Sequence, residues 1–160
     1  MMEPSHSPSP SPHRVSTLGT PFSPAAVGAI LNQRGHAGHL GLCYHAHGED
    51  WLELALPWRE DLVGLPETGV LASGPIISLL DTVTSMSVTV RHGAFLRLAT
   101  LDLRIDYMRA ARKGATVIAR GACYRMTRSI AFVSGLAHEG DPEDPVAHVA
   151  GSFMLMDAAA

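Results

Sequence analysis

The sequence is short of net charge, of cysteine and of long apolar runs, and each shortage argues against a class of function. Lys and Arg number 12 against 15 Asp and Glu, for a net charge of -3. No basic field is available to attract a nucleic acid backbone. The two cysteines, Cys43 and Cys123, lie in no C-x-x-C spacing. That argues against a zinc site or a redox pair, and both read as reduced core thiols. No apolar run reaches the ~18 residues of a membrane span, and the N-terminus has no apolar signal-peptide core. The expected setting is the cytoplasm, with neither nucleic acid nor membrane as partner. Charged residues make up 17% of the chain and hydrophobic ones 46%. So little charge suggests that a second subunit covers part of the surface.

What is present divides into a tail and one domain. Residues 1–22 repeat Ser and Pro without apolar periodicity and are expected to be disordered. The domain is expected to run from 23 to 160. Ser23 and Pro24 suit the start of a helix over 25–33, with Val27, Ile30 and Leu31 on one side. Residues 35–41 read as a loop. Period-2 alternation predicts strands near 42–47 and 51–57, and 60–69 reads as a second loop.

Ser73-Gly74-Pro75 opens a long helix that Gly93 ends, with Ser73 or Gly74 as its cap. Ile76, Leu79, Leu80, Val83, Met86 and Val90 form its apolar stripe, and Ser78, Thr82, Ser85 and Thr89 form a face of small residues. Four further strands are expected near 99–108, 115–126, 129–138 and 146–156. In the first, Leu101, Leu103, Ile105 and Tyr107 alternate with Thr100, Asp102, Arg104 and Asp106. Short connections between sequential strands imply an antiparallel sheet, and a sheet around one buried helix is an α+β architecture.

Three segments carry a resemblance. Residues 69–81, 99–111 and 128–133 (GVLASGPIISLLD, ATLDLRIDYMRAA and RSIAFV) resemble PaaI-type thioesterases, in order and with the expected elements between them. The resemblance covers about residues 41–156. It implies the hot-dog fold, an antiparallel sheet wrapped around one long central helix. It also implies a homodimer or homotetramer with sites at the subunit interface, and an acyl-CoA thioester as substrate. Coenzyme A is then part of the substrate, and no separate cofactor is expected.

Thioester hydrolysis needs donors for the developing oxyanion and a carboxylate that attacks the carbonyl or activates water. Helix N-terminal amides supply such donors, which points to Ser73 and Gly74. Asp81 is the expected base or nucleophile, about 10 Å further along the helix, and Ser85 the hydroxyl one turn beyond it. The alternatives are a satisfied polar residue at Asp81 and a small packing residue at Ser85.

By the same resemblance Arg109, Arg112, Arg128 and Ser129 would hold the coenzyme A phosphates, with Lys113 and Arg125 nearby in sequence. The alternative is solvated turn cations. The family's His nine residues before the carboxylate is Ala72 here, and the polar residue about six positions before that is Pro66. This departure leaves a second function open, a protein that binds or senses acyl-CoA without hydrolysing it. A hot-dog dehydratase is disfavoured, because the helix carries no His before His92. The paired histidines His36/His39 and His45/His47 lack the carboxylates or thiols of a known metal pattern, so no metal is expected.

Overall fold

A computed structural model describes Ser23, Val27, Gly28, Leu31 and residues 35–156. The expected tail 1–22, most of the expected helix 25–33 (Ile30 included) and residues 157–160 lie outside the described residues. Val27, Gly28 and Leu31 are helical. The Val27 N–H donates to the Ser23 carbonyl at 3.2 Å, and Val27 and Leu31 are buried.

The described elements are α1 (Gly35–Leu40), β1 (Cys43–His47), β2 (Trp51–Leu56), β3 (Val63–Leu65), β4 (Val70–Leu71), α2 (Ser73–His92), β5 (Arg97–Tyr107), β6 (Val117–Met126), β7 (Ile130–His138) and β8 (Ala147–Met156). Six strands form one antiparallel sheet in the order β1-β2-β6-β7-β8-β5. The sheet curves around α2, and the architecture is the expected hot-dog fold. No helix among the described residues is long and apolar enough to cross a membrane.

Two expected loops contain structure. Residues 35–41 include the short helix α1, held by the burial of Leu40 and by the Leu42 N–H donating to the Ala37 carbonyl at 3.0 Å. Three glycines hide it in the sequence, since packing rather than propensity makes this helix. Residues 60–69 hold a 3-10 turn at Glu60–Leu62 and the start of the small β3–β4 hairpin. These pieces are too short to carry a periodic signal.

Helix α2 has 20 residues and is capped by Ala72, not by Ser73 or Gly74; no side chain caps it. At the other end Gly93 takes φ 80° and closes the helix, its N–H donating to the Thr89 carbonyl. Ile76, Leu79, Leu80, Val83 and Val90 are buried as expected. They pack on Leu52, Leu54 and Leu56 of β2 and on Val117 and Ala119 of β6. Gly121 permits this close approach, because a Cβ there would lie 2.7 Å from the Val83 carbonyl oxygen. The buried Thr84 and Ser87 hydroxyls donate to Leu80 and Thr84 carbonyls one turn back. That satisfies polar groups which would otherwise destabilise a buried helix.

Strand β5 departs from its expected alternation. Its pairing with β8 shifts between Thr100 and Asp102, so Leu101 sits in a β-bulge. The extra residue exchanges the faces. Leu103 and Ile105 pack into the core as expected, but Leu101 is 49% exposed. Thr100, expected on the face opposite Leu103 and Ile105, instead reaches α2.

The outer sheet face carries a buried polar group. Arg120 donates to the Glu53 carboxylate at 2.7 Å and lies over the Trp51 ring. Nearby, His138 is 6% exposed, and its Nδ1 accepts the Gly140 N–H at 3.0 Å. Burial holds His138 below the usual imidazole range, against a smaller upward pull from Glu53; Arg120 and His45 push it down and Asp141 up. The unfolded chain therefore binds this proton at a higher pH than the folded one. Stability conferred by neutral His138 is present above about pH 6.5 and is lost as pH falls through the folded value. The melting temperature is expected to drop by a few degrees between pH 7 and pH 5, and less in His138→Gln. Equal drops in both proteins would remove His138 from the acid response.

Candidate active site

Asp81 lies on the side of α2 that faces β5 and α1. The bulge in β5 turns the Thr100 hydroxyl inward, and it donates to Asp81 Oδ1 at 3.1 Å. Among the described residues nothing donates to Oδ2. The carboxylate borders a cleft of about 450 Å³ whose other walls include Leu31, Met86, Phe95, Leu96, Leu98 and Phe153. One oxygen is thus oriented and the other is available, beside an apolar space.

Ser85 lines the same cleft, but its hydroxyl donates to the Thr82 carbonyl at 2.9 Å rather than to Asp81. His36, weighed in the sequence only as half of a histidine pair, reaches the same helix one turn before Asp81. His36 Nε2 lies 2.9 Å from Ser78 Oγ, and Ser78 donates to the Gly74 carbonyl at 3.0 Å. Because that carbonyl only accepts, both bonds form when His36 Nε2–H donates to the serine. The sequence held no signal for this pair, whose members are 42 residues apart.

Ser73 lines a different cavity. A pocket of about 280 Å³ is lined by Ser73, Ile76, Tyr107, Arg109 and neighbours. Tyr107 donates its hydroxyl to the Ser73 carbonyl at 3.1 Å. Pro75 has no N–H, so this N-terminus offers the Ser73 and Gly74 amides. A Cβ at Gly74 would meet nothing within 4 Å, which leaves the backbone open to approach. Within one protomer Ser73 and Asp81 line separate cavities.

The four residues expected at the phosphates are not gathered. Arg109 donates to Glu139 Oε2 at 2.7 Å, to Asp144 Oδ1 at 2.9 Å and to the Asp144 carbonyl at 2.8 Å. Arg112 donates to Asp144 Oδ2 at 2.9 Å, and its backbone N–H donates to Glu139 Oε1. The Glu139 side chain is only 2% exposed. Hydrogen bonds to Arg109 and Arg112, against some burial, hold Asp144 below the usual carboxylate range. These two arginines therefore spend their charge locally, tying the 139–145 loop to the end of β5.

Arg128 and Ser129 lie in the exposed β6–β7 turn at the other end of the sheet. The ten residues of β6 separate the two pairs by about 30 Å. The Leu155 N–H donates to the Ser129 carbonyl at 2.8 Å. Among the described residues no cluster of three or more His, Cys, Asp or Glu is placed to hold a metal.

The sequence model of the thioesterase superfamily matches residues 68–146, which include Ser73, Gly74, Asp81, Thr100 and Tyr107. A Haemophilus influenzae protein named "Putative esterase" is 30% identical over 92 residues, 58% of this chain. The match spans 64% of that relative's length. A Pseudomonas aeruginosa protein of solved structure is 38% identical, covering 83% of this chain and 98% of its own, at a TM-score of 0.75. Two more distant structures share the fold. A Haemophilus influenzae thioesterase has a TM-score of 0.76 at 19% identity, covering 90% of this chain and 97% of its own. The PaaI protein of the Escherichia coli phenylacetic acid degradation operon has 0.69 at 16%, covering 80% and 88%.

Proposed function

Because the chain belongs to the thioesterase superfamily, we propose that it hydrolyses fatty or aromatic acyl-CoA thioesters in the cytoplasm, as a homodimer or a dimer of dimers. The observation that carries this reading is Asp81, with one carboxylate oxygen fixed by Thr100 beside an apolar cleft. The free oxygen attacks the thioester carbonyl or takes a proton from water. The Ser73 and Gly74 amides receive the oxyanion, and the cleft walls suit an aliphatic or aromatic acyl group. Coenzyme A enters as part of the substrate and leaves as the thiol, with no separate cofactor.

The site is completed by pairing two β5 edges. Strand β5 is an edge of the sheet and has 11 residues, so its unpaired backbone groups invite a second strand. An antiparallel two-fold pairing centred on Leu103 sets Asp102 opposite Arg104 of the partner subunit. It also lays the Thr100 end of one strand beside the Tyr107 end of the other. Asp81 of one protomer then approaches the α2 N-terminus of its partner. Asp102→Arg places like charges across this seam and is expected to shift the protein toward monomer in light scattering. The double exchange Asp102→Arg/Arg104→Asp is expected to restore the dimer. A wild type that is monomeric at micromolar concentration overturns the composite site.

A panel of acyl-CoA substrates with a free-thiol readout tests the activity. Release of thiol from at least one aliphatic or aromatic member is expected. Coenzyme A binding without thiol release from any member would favour an acyl-CoA binder, the function that Ala72 in place of a histidine left open.

A further inference from the structure

The inner face of β5 presents two hydroxyls to α2, and only that of Thr100 meets the acid. The other belongs to Tyr107, and it donates to the Ser73 carbonyl at 3.1 Å. That carbonyl and the Gly74 N–H are the two ends of one peptide unit. The unit is planar, so a group that fixes the oxygen fixes the direction of the N–H. Donation to the oxygen also polarises the amide and strengthens its N–H as a donor.

We propose that Tyr107 is a positioning residue that holds the Gly74 amide as an aimed donor at the start of α2. This rests on the hydrolase reading for its catalytic consequence, but the positioning itself does not.

The surroundings fit such a device. No side chain caps the helix, so the first-turn amides have no local acceptor to orient them. The next peptide is held in the same way, since the Ser78 hydroxyl donates to the Gly74 carbonyl at 3.0 Å. Tyr107 is itself anchored, because it pairs with Ala147 of β8 and the next N–H, of Met108, donates to the Val146 carbonyl at 2.9 Å. Burial pushes the Tyr107 hydroxyl up from the usual phenol range, so it keeps its proton through neutral pH. The pocket is lined by Tyr107 and Ser73 together, which puts the bond at the wall a bound group would touch.

Tyr107→Phe keeps the ring and removes the bond. In full-length protein labelled with 15N-glycine, the Gly74 amide resonance is expected to move, while the Gly93 resonance, at the other end of α2, stays in place. With the best acyl-CoA of the panel, kcat is expected to fall about tenfold, the scale of weakening one oxyanion donor without deleting it. KM is expected to stay within twofold, and mass and melting temperature are expected to be unchanged. A Gly74 resonance that does not move overturns the proposal whatever the activity. So does a kcat within twofold of wild type in an active enzyme. If the resonance moves and the wild type hydrolyses no thioester, the positioning stands and the hydrolase reading falls.

Discussion

Asp81→Asn is expected to fold, to keep its oligomeric mass and to lose thioester hydrolysis by about 10²-fold or more, the usual scale for removing acid–base help. The amide preserves the shape of the carboxyl and its bond from Thr100 to Oδ1. It removes the negative oxygen that attacks or deprotonates. Binding of coenzyme A alone should survive, because the change touches the acyl side of the site. Asp81→Ala is the companion variant. It also removes the Thr100 bond, and alanine has the better helix propensity, so its melting temperature is expected to be unchanged or higher. Residues kept for activity often cost stability. Full hydrolysis by Asp81→Asn would rule out the mechanism. Unfolding of both variants would make Asp81 a structural residue.

The surroundings of Asp81 also mark where sequence reading stops. An acid within an apolar helix is visible in the residue string, as are the stripe from Ile76 to Val90 and the stop at Gly93. The partner of the acid is not. Thr100-Leu101-Asp102 reads as unbroken alternation, which puts Thr100 on the face opposite Leu103 and Ile105. The bulge arises from the pairing of β5 with β8, and a strand's own sequence does not state its register. One trace exists across the ladder at Gly151, where a Cβ would lie 2.5 Å from the Asp102 carbonyl oxygen. Helix α1 was hidden for a related reason, since its glycines and histidines are poor helix formers and tertiary packing makes it. Elements that carry their own periodicity were legible. Contacts made by elements meeting across the sheet were not.

The same limit governs the arginines, and it leads to an opposite pair of expectations for Arg109 and Arg112. Read along the chain, both are turn cations suited to phosphate. In the fold they meet Glu139 and Asp144, 27–35 residues further on, in the connection between β7 and β8. Arg109 bridges Glu139 and Asp144 with its side chain 23% exposed, while that of Arg112 is 64% exposed. Removing Arg109 leaves the nearly buried Glu139 carboxylate with the Arg112 backbone N–H and with the Arg112 guanidinium at a longer 3.3 Å. Breaking a buried pair costs about 3–5 kcal/mol, and partial exposure brings the expectation for Arg109→Ala to about 2–3 kcal/mol. That is a fall of roughly 5–10 °C in melting temperature for a chain of this size. Arg112→Ala removes a solvated guanidinium and is expected to cost less than about 1 kcal/mol. Calorimetric unfolding of both variants, with coenzyme A titrated into each, separates scaffold from ligand site. A melting temperature for Arg109→Ala within 1 °C of wild type, together with weaker coenzyme A binding, would return Arg109 to the phosphates. The expected result, a large loss of stability from Arg109 and a small one from Arg112, makes Arg109 a clamp that sets the 139–145 loop against the end of β5. That strand end carries Tyr107, so the clamp also fixes one wall of the pocket at the start of α2.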